Sequence, residues 1–283
     1  MSRNNPDDPY ADLPPLRDVI AAHHLVAEKK LGQNFLLDSN ITDKIARCAG
    51  DLSGLSVFEI GPGPGGLTRS LLRTLARDVI AIEFDTRAIA ALQDLKTRAG
   101  SRLQLIQGDA AAINLEPLAP PPRAIVANLP YNIATTLLIG WLQAIRARGA
   151  FQSMTLMFQK EVAERIVAQP GTKPYGRLSV IAQWLCEVKK VYDLPPGAFT
   201  PPPKVSSAVV HFVPRALGAD APAFDSVGAI TAAAFGQRRK MVRSSLKDYT
   251  PYLMEAGIEP DKRAENLNVA EFIKLAQLAF TQA

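Results

Sequence analysis

The strongest constraint on the fold is a regular alternation of short apolar runs with segments of helical periodicity. The apolar runs predict strands at 56–60, 79–82, 103–107, 123–127 and 155–159. The other patterns predict helices at 39–49, 67–75, 86–95, 133–144, 160–168 and 176–185. Strands separated by helices pair in parallel, and the helices then cover both faces of the sheet. The sequence therefore predicts an α/β fold with a mostly parallel sheet, closed by a pair of strands at 188–192 and 208–212.

The domain organisation follows from the point at which the strand signals stop. After the linker-like segment 214–222, residues 225–283 contain only short helical patterns. The last helix is predicted to begin near Asn268, because Asn268 and Glu271 have the spacing of a capping box. The first residues contain prolines and acids without an apolar core, which is not the pattern of a secretory signal. We therefore predict three parts, which are a flexible tail at 1–24, a sheet domain at 25–214 and a helical domain at 215–283.

Composition limits the class of protein. Hydrophobic residues make up 47% of the 283 residues and charged residues 21%, which is ordinary for a soluble globular protein without a membrane span. Cys48 and Cys186 lie far apart, which favours structural thiols in a reducing, cytoplasmic compartment. His23, His24 and His211 lack metal-ligand spacing, so we expect no metal. The net charge of +5 permits a nucleic-acid partner without requiring one.

A glycine-rich turn, EIGPGPGGLT at 59–68, follows the strand predicted at 56–60. Gly61, Gly63 and Gly66 have the G-x-G-x-x-G spacing, which permits a tight turn and close approach of a ligand to the backbone. The same spacing also suits a strand-to-helix turn that binds nothing. The motif therefore gains weight only from the residues that end the other strands.

Those strand ends carry side chains that suit an adenosine. Glu83 ends the second strand and can accept hydrogen bonds from both ribose hydroxyls. Asp109 follows the third strand and can accept a hydrogen bond from an adenine amino group. Taken singly, the two acids could be a helix cap and a turn residue. Together with Gly61 and Asn128 they mark four successive strand ends at the edge where open α/β sheets bind ligands.

Two adenosine-containing cofactors fit this pattern, NAD and S-adenosylmethionine. NAD needs a helix N-terminus that presents N–H groups to its pyrophosphate. Pro62 and Pro64 each lack an N–H, and no following segment offers a clear histidine or lysine for hydride chemistry. S-adenosylmethionine carries no phosphate, so the sequence favours it as the cofactor.

The tetrapeptide NLPY, formed by Asn128, Leu129, Pro130 and Tyr131, follows the fourth predicted strand. Such a turn can hold a planar amine between the Asn oxygen and a backbone carbonyl while the aromatic ring stacks on the attached base. Transfer of a methyl group to an exocyclic amino nitrogen requires this arrangement. The alternative interpretation is a core aromatic residue and a proline that only ends the strand.

At these residues the chain resembles the ribosomal RNA adenine N6-dimethyltransferase family, of the KsgA/RsmA type, over nearly all of residues 25–283. The matching blocks are KKLGQNFLLD, EIGPGPGGLT, VIAIEFD, GDA, NLPYNI, MFQKEVAERI, GRLSV, FTPPPKVSS and FGQRRKMVRSSLK. The resemblance implies a Rossmann-like, class I methyltransferase α/β sheet with helices on both faces, plus a small C-terminal all-α domain. It implies a monomer that uses S-adenosylmethionine to dimethylate two adjacent adenosines in the 3′-terminal hairpin loop of small-subunit rRNA, within an assembling 30S-type particle.

The resemblance also implies which residues contact the methyl donor. They are Asn34 and Leu36, which would close over it, Gly61 and Gly63 at its methionine part, Glu83 at the ribose, Asp109 at the adenine and Asn128 near the methyl group. For the target base we predict that Asn128 Oδ1 and the Leu129 carbonyl accept the N6 hydrogens and that Tyr131 stacks on one face. Phe199, stiffened by three following prolines, would pack on the other face.

A cluster of basic residues in the C-terminal part is a candidate for RNA binding. It consists of Arg238, Arg239, Lys240, Arg243 and Lys247. On a helix, positions 239, 243 and 247 would share one face and could contact RNA phosphates, with help from Lys29, Lys30 and Lys204. A solvated helix face is the alternative interpretation.

Other functions remain open at this level. They are adenine N6-methylation of large-subunit rRNA or of DNA, and a mainly RNA-binding role in ribosome assembly. The intact glycine turn, acids and NLPY motif favour an active enzyme.

Overall fold

The computed structural model describes residues 8–27 and 33–281 and contains a seven-stranded sheet in this part of the chain. In chain order the strands are β1 (Phe35–Leu36), β2 (Ser56–Ile60), β3 (Asp78–Glu83), β4 (Leu103–Gln107), β5 (Arg123–Asn128), β6 (Ser153–Gln159), β7 (Cys186–Leu194), β8 (Phe199–Thr200) and β9 (Ser207–Pro214). The large sheet has the order β4-β3-β2-β5-β6-β9-β7, and β1 pairs with β8 in a separate antiparallel ribbon. The predicted α/β class and the adjacency of the last two long strands are confirmed.

The strand order reverses beside β2. The chain runs outward from β2 through β3 to β4, then returns to place β5 on the other side of β2, and these strands pair in parallel. Such a reversal separates the loops that follow the two central strands and opens a crevice at their carboxyl ends. Gly61 follows β2 and Asn128 ends β5, so the fold brings the glycine turn and the NLPY segment to this crevice.

Twelve α-helices occur in the described residues. They are α1 (Leu16–Ala22), α2 (Ser39–Cys48), α3 (Gly66–Leu72), α4 (Thr86–Ala91), α5 (Gln93–Ala99), α6 (Ala134–Arg148), α7 (Lys160–Val167), α8 (Arg177–Leu185), α9 (Phe224–Gly236), α10 (Val242–Ser245), α11 (Thr250–Leu253) and α12 (Val269–Thr281). Among them, none is long and apolar enough to cross a membrane.

Local chemistry explains several helix boundaries. The N-cap of α2 is Asp38, whose side chain accepts a hydrogen bond from the Asn40 N–H. A carboxylate is a common N-cap, and its negative charge also interacts favourably with the N-terminal end of the helix dipole. At α12 the predicted capping box is confirmed, because Asn268 and Glu271 each accept a hydrogen bond from the other's backbone N–H at 2.9 and 2.7 Å. The helix predicted at 86–95 is interrupted at Leu92 and forms α4 and α5.

The central strands form the middle of the hydrophobic core. Every residue of β2 is buried, and only Asp78 of β3 is partly exposed. Burial on both faces is what a parallel sheet covered by helices requires, and each fully buried Val, Leu, Ile or Phe contributes about 1.5–3 kcal/mol. This packing makes the carboxyl ends of β2 and β3 a rigid platform.

The chain forms two compact units. The first comprises Met1–Gly140, Ala150–Lys160 and Lys190–His211, and the second comprises Trp141–Gly149, Glu161–Lys189 and Phe212–Ala283. The sequence placed a boundary near residue 215, whereas residues 161–189 group with the C-terminal helices. The physical reason is that α8 packs on α9 and α12 within the second unit.

The described part of the N-terminal segment packs on the first unit. Tyr10 is buried in its hydrophobic core, and Arg73 Nε donates to Asp8 Oδ2 at 2.8 Å. Arg98 also pairs with Asp12. This packing differs from the flexible tail predicted at 1–24. Leu16, Val19 and Ile20 have the i, i+3, i+4 spacing of a helix, a signal that the prediction of a tail did not use.

Candidate active site

A cavity of about 250 Å³ lies at the carboxyl ends of the central strands. Its walls come from the segment before and within β1, the glycine turn, and the ends of β3, β4 and β5. Ten residues predicted from the sequence line it, and they are Asn34, Leu36, Gly61, Gly63, Glu83, Asp109, Asn128, Leu129, Pro130 and Tyr131. The crevice expected from the strand order is therefore present as a cavity, and these ten residues line it.

The glycine turn needs glycine for a steric reason. Gly61 and Gly63 have φ values of +69° and +54°, which L side chains rarely adopt. A Cβ on Gly63 would lie 2.9 Å from Cε1 of Phe35, so the ring of Phe35 packs directly on this backbone. A Cβ on Gly61 would lie 3.7 Å from Cδ of Pro130. The turn therefore contacts both the β1 segment and the NLPY segment.

Glu83 presents a buried, oriented carboxylate to the cavity. Glu83 is only 6% exposed. Its Oε2 accepts a hydrogen bond from the Gly63 N–H at 3.1 Å, and its Oε1 accepts one from the Asp85 N–H at 2.9 Å. Burial raises the pKa of Glu83, whereas these N–H donors act in the opposite direction. A carboxylate offers about four acceptor positions, so acceptor capacity remains beyond these backbone donors.

Glu59 is a second buried acid at the cavity, and sequence reasoning missed it. The residue is 1% exposed, and its Oε2 has no hydrogen-bond partner in the described part of the chain. Burial, together with the charge of Glu83, raises the pKa of Glu59 to about 8. The neighbouring Thr68 hydroxyl acts in the opposite direction and lowers this pKa. The available signal was a charged residue inside the otherwise apolar run of β2.

The segment that precedes β1 is tied to the cavity at two points. Gln33 Nε2 donates to Asp85 Oδ2 at 3.1 Å, and Asn128 Nδ2 donates to the Asn34 carbonyl at 3.1 Å. Asp85 in turn binds the Arg87 guanidinium, which is the main reason that the pKa of Asp85 falls to about 2. Gln33 was not predicted from sequence, because its partner is distant in the chain.

The Asn128 amide is held in one orientation. Because its nitrogen donates to the Asn34 carbonyl, its Oδ1 remains as an acceptor at the cavity. The Pro130 carbonyl is already occupied by the N–H groups of Ile133 and Ala134 at the start of α6. The Leu129 carbonyl is therefore the better second acceptor in this turn.

The two predicted base-stacking aromatics differ in position. Tyr131 lines the cavity, and its hydroxyl forms a 2.5 Å hydrogen bond with Ser207 Oγ, which fixes the ring. Phe199 does not line it. That residue is 3% exposed and lies in the core opposite Leu36 in the β1–β8 ribbon. Side chains alternate along β8, and the Phe199 side chain points into the core while Thr200 is exposed. Phe199 therefore packs behind Leu36 and does not face the cavity.

A different aromatic residue is exposed at the cavity. Phe84 directly follows Glu83, lines the cavity and is 63% exposed. Asp109, on a neighbouring wall, uses Oδ1 to accept the Ala111 N–H at 2.8 Å and has its other oxygen available. An apolar ring and a carboxylate on neighbouring strand ends suit a flat base with an amino group.

The basic cluster does not lie on one helix, and the predicted shared face is wrong. Helix α9 ends at Gly236 and α10 spans only Val242–Ser245, so Arg239 and Lys240 occupy the turn between them. Arg238 binds Glu265 and the carbonyls of Lys173 and Tyr175 within the second unit.

The remaining basic residues differ in whether they form an ion pair within the protein. Arg243 pairs with Asp261 at 2.6 Å, whereas Arg239, Lys240 and Lys247 are exposed. Lys204 is exposed in the first unit. Lys29 and Lys30 lie outside the described residues. The candidates for contact with a polyanion in the second unit are therefore chiefly Arg239, Lys240 and Lys247.

The chain is similar to known proteins over nearly its whole length. A family model described as ribosomal RNA adenine dimethylase matches residues 25–280. A protein of Ruegeria sp. (strain TM1040), named ribosomal RNA small subunit methyltransferase A, is 56% identical over 276 residues, covering 94% of this chain and 96% of its own length. A protein of the same name from Rhodospirillum rubrum is 52% identical, covering 96% of this chain and 94% of its own length.

Two solved structures share the fold. A dimethyladenosine transferase from Plasmodium falciparum has a TM-score of 0.72 and 29% identity, covering 87% of this chain and 96% of its own. The 23S rRNA methyltransferase ErmE has a TM-score of 0.67 and 26% identity, covering 86% of this chain and 98% of its own.

Proposed function

The chain belongs to the ribosomal RNA adenine dimethylase family, and we propose that it dimethylates N6 of two adjacent adenosines in the 3′-terminal hairpin loop of small-subunit rRNA. It is an S-adenosylmethionine-dependent rRNA methyltransferase with a Rossmann-like class I fold. The main support for adenine N6 as the methylated nitrogen is the orientation of Asn128 Oδ1. This acceptor lies at the same cavity as the buried Glu83.

The cavity has the chemistry that S-adenosylmethionine requires. Glu83 retains acceptor positions for a ribose diol, and Asp109 retains an oxygen for an adenine amino group. Pro62 and Pro64 remove N–H groups that a phosphate would use. We assign Gly61, Gly63, Asn34 and Leu36 to the donor's remaining contacts. When bound, the donor supplies an electrophilic methyl group on a sulfonium.

Adenine N6 is a weak nucleophile, and the residues of the NLPY turn would compensate by orienting it. The N6 lone pair of adenine is delocalised into the ring, so the amine must be held where that lone pair can develop toward the methyl group. Asn128 Oδ1 and the Leu129 carbonyl accept the two N6 hydrogens, and Tyr131 stacks on the base. Positioning and electrostatic stabilisation of the cationic nitrogen provide most of the rate increase. No strong base is needed, because the proton leaves after the nitrogen has become positive.

The second methylation uses the same residues with one hydrogen bond fewer. The monomethylated nitrogen carries one hydrogen, so only one of the two acceptors is engaged. The methyl group already present must occupy the space beside the other acceptor. The turn between Asn128 and Tyr131 must therefore tolerate a rotated amine.

The target adenosine must leave its stack to reach the cavity. Enzymes that modify a base act on unpaired or extruded nucleotides. We propose that exposed cations, chiefly Arg239, Lys240 and Lys247 with Lys204, contact RNA phosphates. We propose further that the enzyme acts as a monomer on an assembling small-subunit particle in the cytoplasm.

A methyl-transfer assay with three substrates tests this proposal. Purified protein and labelled S-adenosylmethionine are incubated with unmethylated small-subunit particles, with large-subunit rRNA, or with adenine-containing DNA. We expect label chiefly in the small-subunit rRNA. Preferential label in large-subunit rRNA would favour the ErmE-type function, which the relatives at 52–56% identity do not favour.

A further inference from the structure

The N-terminal segment 16–25 lies against the outside of the donor cavity. Helix α1 ends in a tight reversal, in which His24 has φ +49° and the N–H groups of His24 and Leu25 bond to the carbonyls of Ala21 and Ile20. This is the bonding pattern of a Schellman motif, which commonly brings the residue after the left-handed position against the last helical turn. Leu25 is thereby fully buried.

This reversal completes a small hydrophobic cluster of its own. The cluster contains Val19 and Leu25 from the N-terminal segment, Phe35 from β1, and Ala88 and Ala91 from α4. Phe35 and α4 each have a direct connection to the donor cavity. The cluster therefore joins the N-terminal segment to two walls of that cavity.

The first connection runs through Phe35. Its ring packs on Gly63, whose N–H donates to Glu83 Oε2 at 3.1 Å. The second runs through α4, whose N-cap Asp85 donates its N–H to Glu83 Oε1 at 2.9 Å. Both oxygens of the carboxylate assigned to the ribose are thus oriented by elements that pack on the same cluster.

A separate contact supports the next part of the glycine turn. A Cβ on Gly66 would lie 3.1 Å from Cδ1 of Leu16, so the start of α1 packs closely on the first residue of α3. Gly66 also lines the donor cavity. The N-terminal segment therefore contacts the end of the turn directly through Leu16, and its beginning indirectly through Phe35 of β1.

We propose that residues 16–25 form a strap that holds Phe35 and α4 in the donor-binding arrangement, and that Val19 is a positioning residue for donor affinity. The family model begins at residue 25, so most of this strap lies before it. Val19 does not line the donor cavity, and its proposed effect on Glu83 is transmitted through Phe35 and α4. The inference rests on the proposed donor site.

The test compares Val19→Ser with Val26→Ser, because Val19 is buried and Val26 is 71% exposed. Affinity for S-adenosylmethionine is measured by titration calorimetry without RNA, and kcat and the KM for RNA are measured at saturating donor. Loss of preorganisation should weaken donor binding by Val19→Ser roughly fivefold, with kcat and the RNA KM unchanged. Val26→Ser should bind the donor with wild-type affinity. Val19→Ile, which keeps an apolar side chain at this position, should also retain wild-type donor affinity.

Each outcome decides the question. A lower melting temperature of Val19→Ser with unchanged donor affinity would reduce the strap to a general stabilising element and overturn the inference. If Val19→Ser does not fold, Val19→Ala replaces it under the same criteria. If wild-type protein binds the donor but methylates no RNA, the proposed reaction fails while the calorimetric test of the strap still stands. If wild-type protein binds no donor, both fail.

Discussion

The Asn128 side chain performs two tasks with its two polar atoms. Its nitrogen donates to the Asn34 carbonyl, and its oxygen lies at the cavity, where we propose that it accepts a hydrogen bond from the substrate amine. The first task joins the β1 segment to the end of β5, and the second, which is our proposal, is to orient the adenine. These tasks make different predictions for binding and for catalysis.

Asn128→Ala should lower methyl transfer by roughly a hundredfold or more, since a preorganised partner of the developing cation is removed. Donor affinity should fall much less, because Glu83 and its N–H donors are untouched. Single-turnover rates and calorimetric donor titration measure the two quantities separately. Near-normal turnover would contradict the role assigned to this amide.

Glu59 predicts a pH dependence of stability. The ordinary pKa of 4.5 rises to about 8 in the folded chain, chiefly through burial. Between these values the folded chain keeps a proton that the unfolded chain has lost. This contribution to stability is therefore fully present at low pH and falls as pH rises, by at most about 1.4 kcal/mol per pH unit.

Glu59→Gln removes this titration while keeping the size of the side chain. The melting temperature of the variant minus that of donor-free wild type should increase from about pH 5 to about pH 8. Taking the difference removes the pH dependence of uncoupled groups and leaves that of Glu59 together with its coupling to Glu83, whose pKa is also raised by burial. Parallel melting profiles would show that Glu59 keeps the same protonation state in the folded and unfolded chains.

At the scale of elements, the glycine turn is defined by what packs on it. Gly63→Ala should weaken donor binding, because its Cβ would displace the Phe35 ring that lies 2.9 Å away. Gly54→Ala is a matched control, since Gly54 has φ +73° and no atom within 4 Å of a built Cβ. Both variants should lose about 1–2 kcal/mol of stability, because each puts an L side chain at positive φ.

The calorimetric donor affinity distinguishes the two variants. Only Gly63→Ala should bind the donor more weakly, and its melting temperature should fall further than that of Gly54→Ala. Equal donor affinity of both variants would mean that the contact between Phe35 and Gly63 has no role in donor binding.

The sequence predicted elements well where periodicity and local chemistry agreed. Strand β2 and the α12 capping box match the predictions, because both depend on neighbouring residues. The ends of the central strands were also predictable, since topology brings parallel strand ends together. The contacts of Gln33 with Asp85 and of Phe35 with Gly63 were not, because they join segments distant in the chain.

Other errors have a similar origin. Phe199 looked like a substrate contact beside its prolines, but pairing with Leu36 buries it. The basic segment around Arg239 has helical spacing, but the helix ends at Gly236. Tertiary packing overrides local pattern at such positions.

At the scale of the whole molecule, the exposed cations of the second unit should determine the salt dependence of RNA binding. Arg239→Ala combined with Lys240→Ala should weaken binding and lower the slope of log affinity against log salt by about one for each phosphate that the variant no longer neutralises. Fluorescence anisotropy with a hairpin RNA at several salt concentrations measures the slope. An unchanged slope would leave these residues as a solvated surface.

Arg238→Ala provides the contrast. Its guanidinium binds Glu265 and two carbonyls within the second unit, so its removal should lower the melting temperature. The salt slope should change less than in the double variant. The opposite pattern would mean that Arg238 is the phosphate contact and its neighbours are not.

The central claim is that an adenosine amine of small-subunit rRNA is held at Asn128 beside the donor's methyl group. The most direct measurement maps N6,N6-dimethyladenosine in rRNA from cells that lack the protein and are supplied with either the wild type or Asn128→Ala. The account predicts two adjacent dimethylated adenosines near the 3′ end of small-subunit rRNA with the wild type and almost none with the variant. Unchanged dimethylation in cells without the protein, or a wild-type product on a different nucleoside, would contradict it.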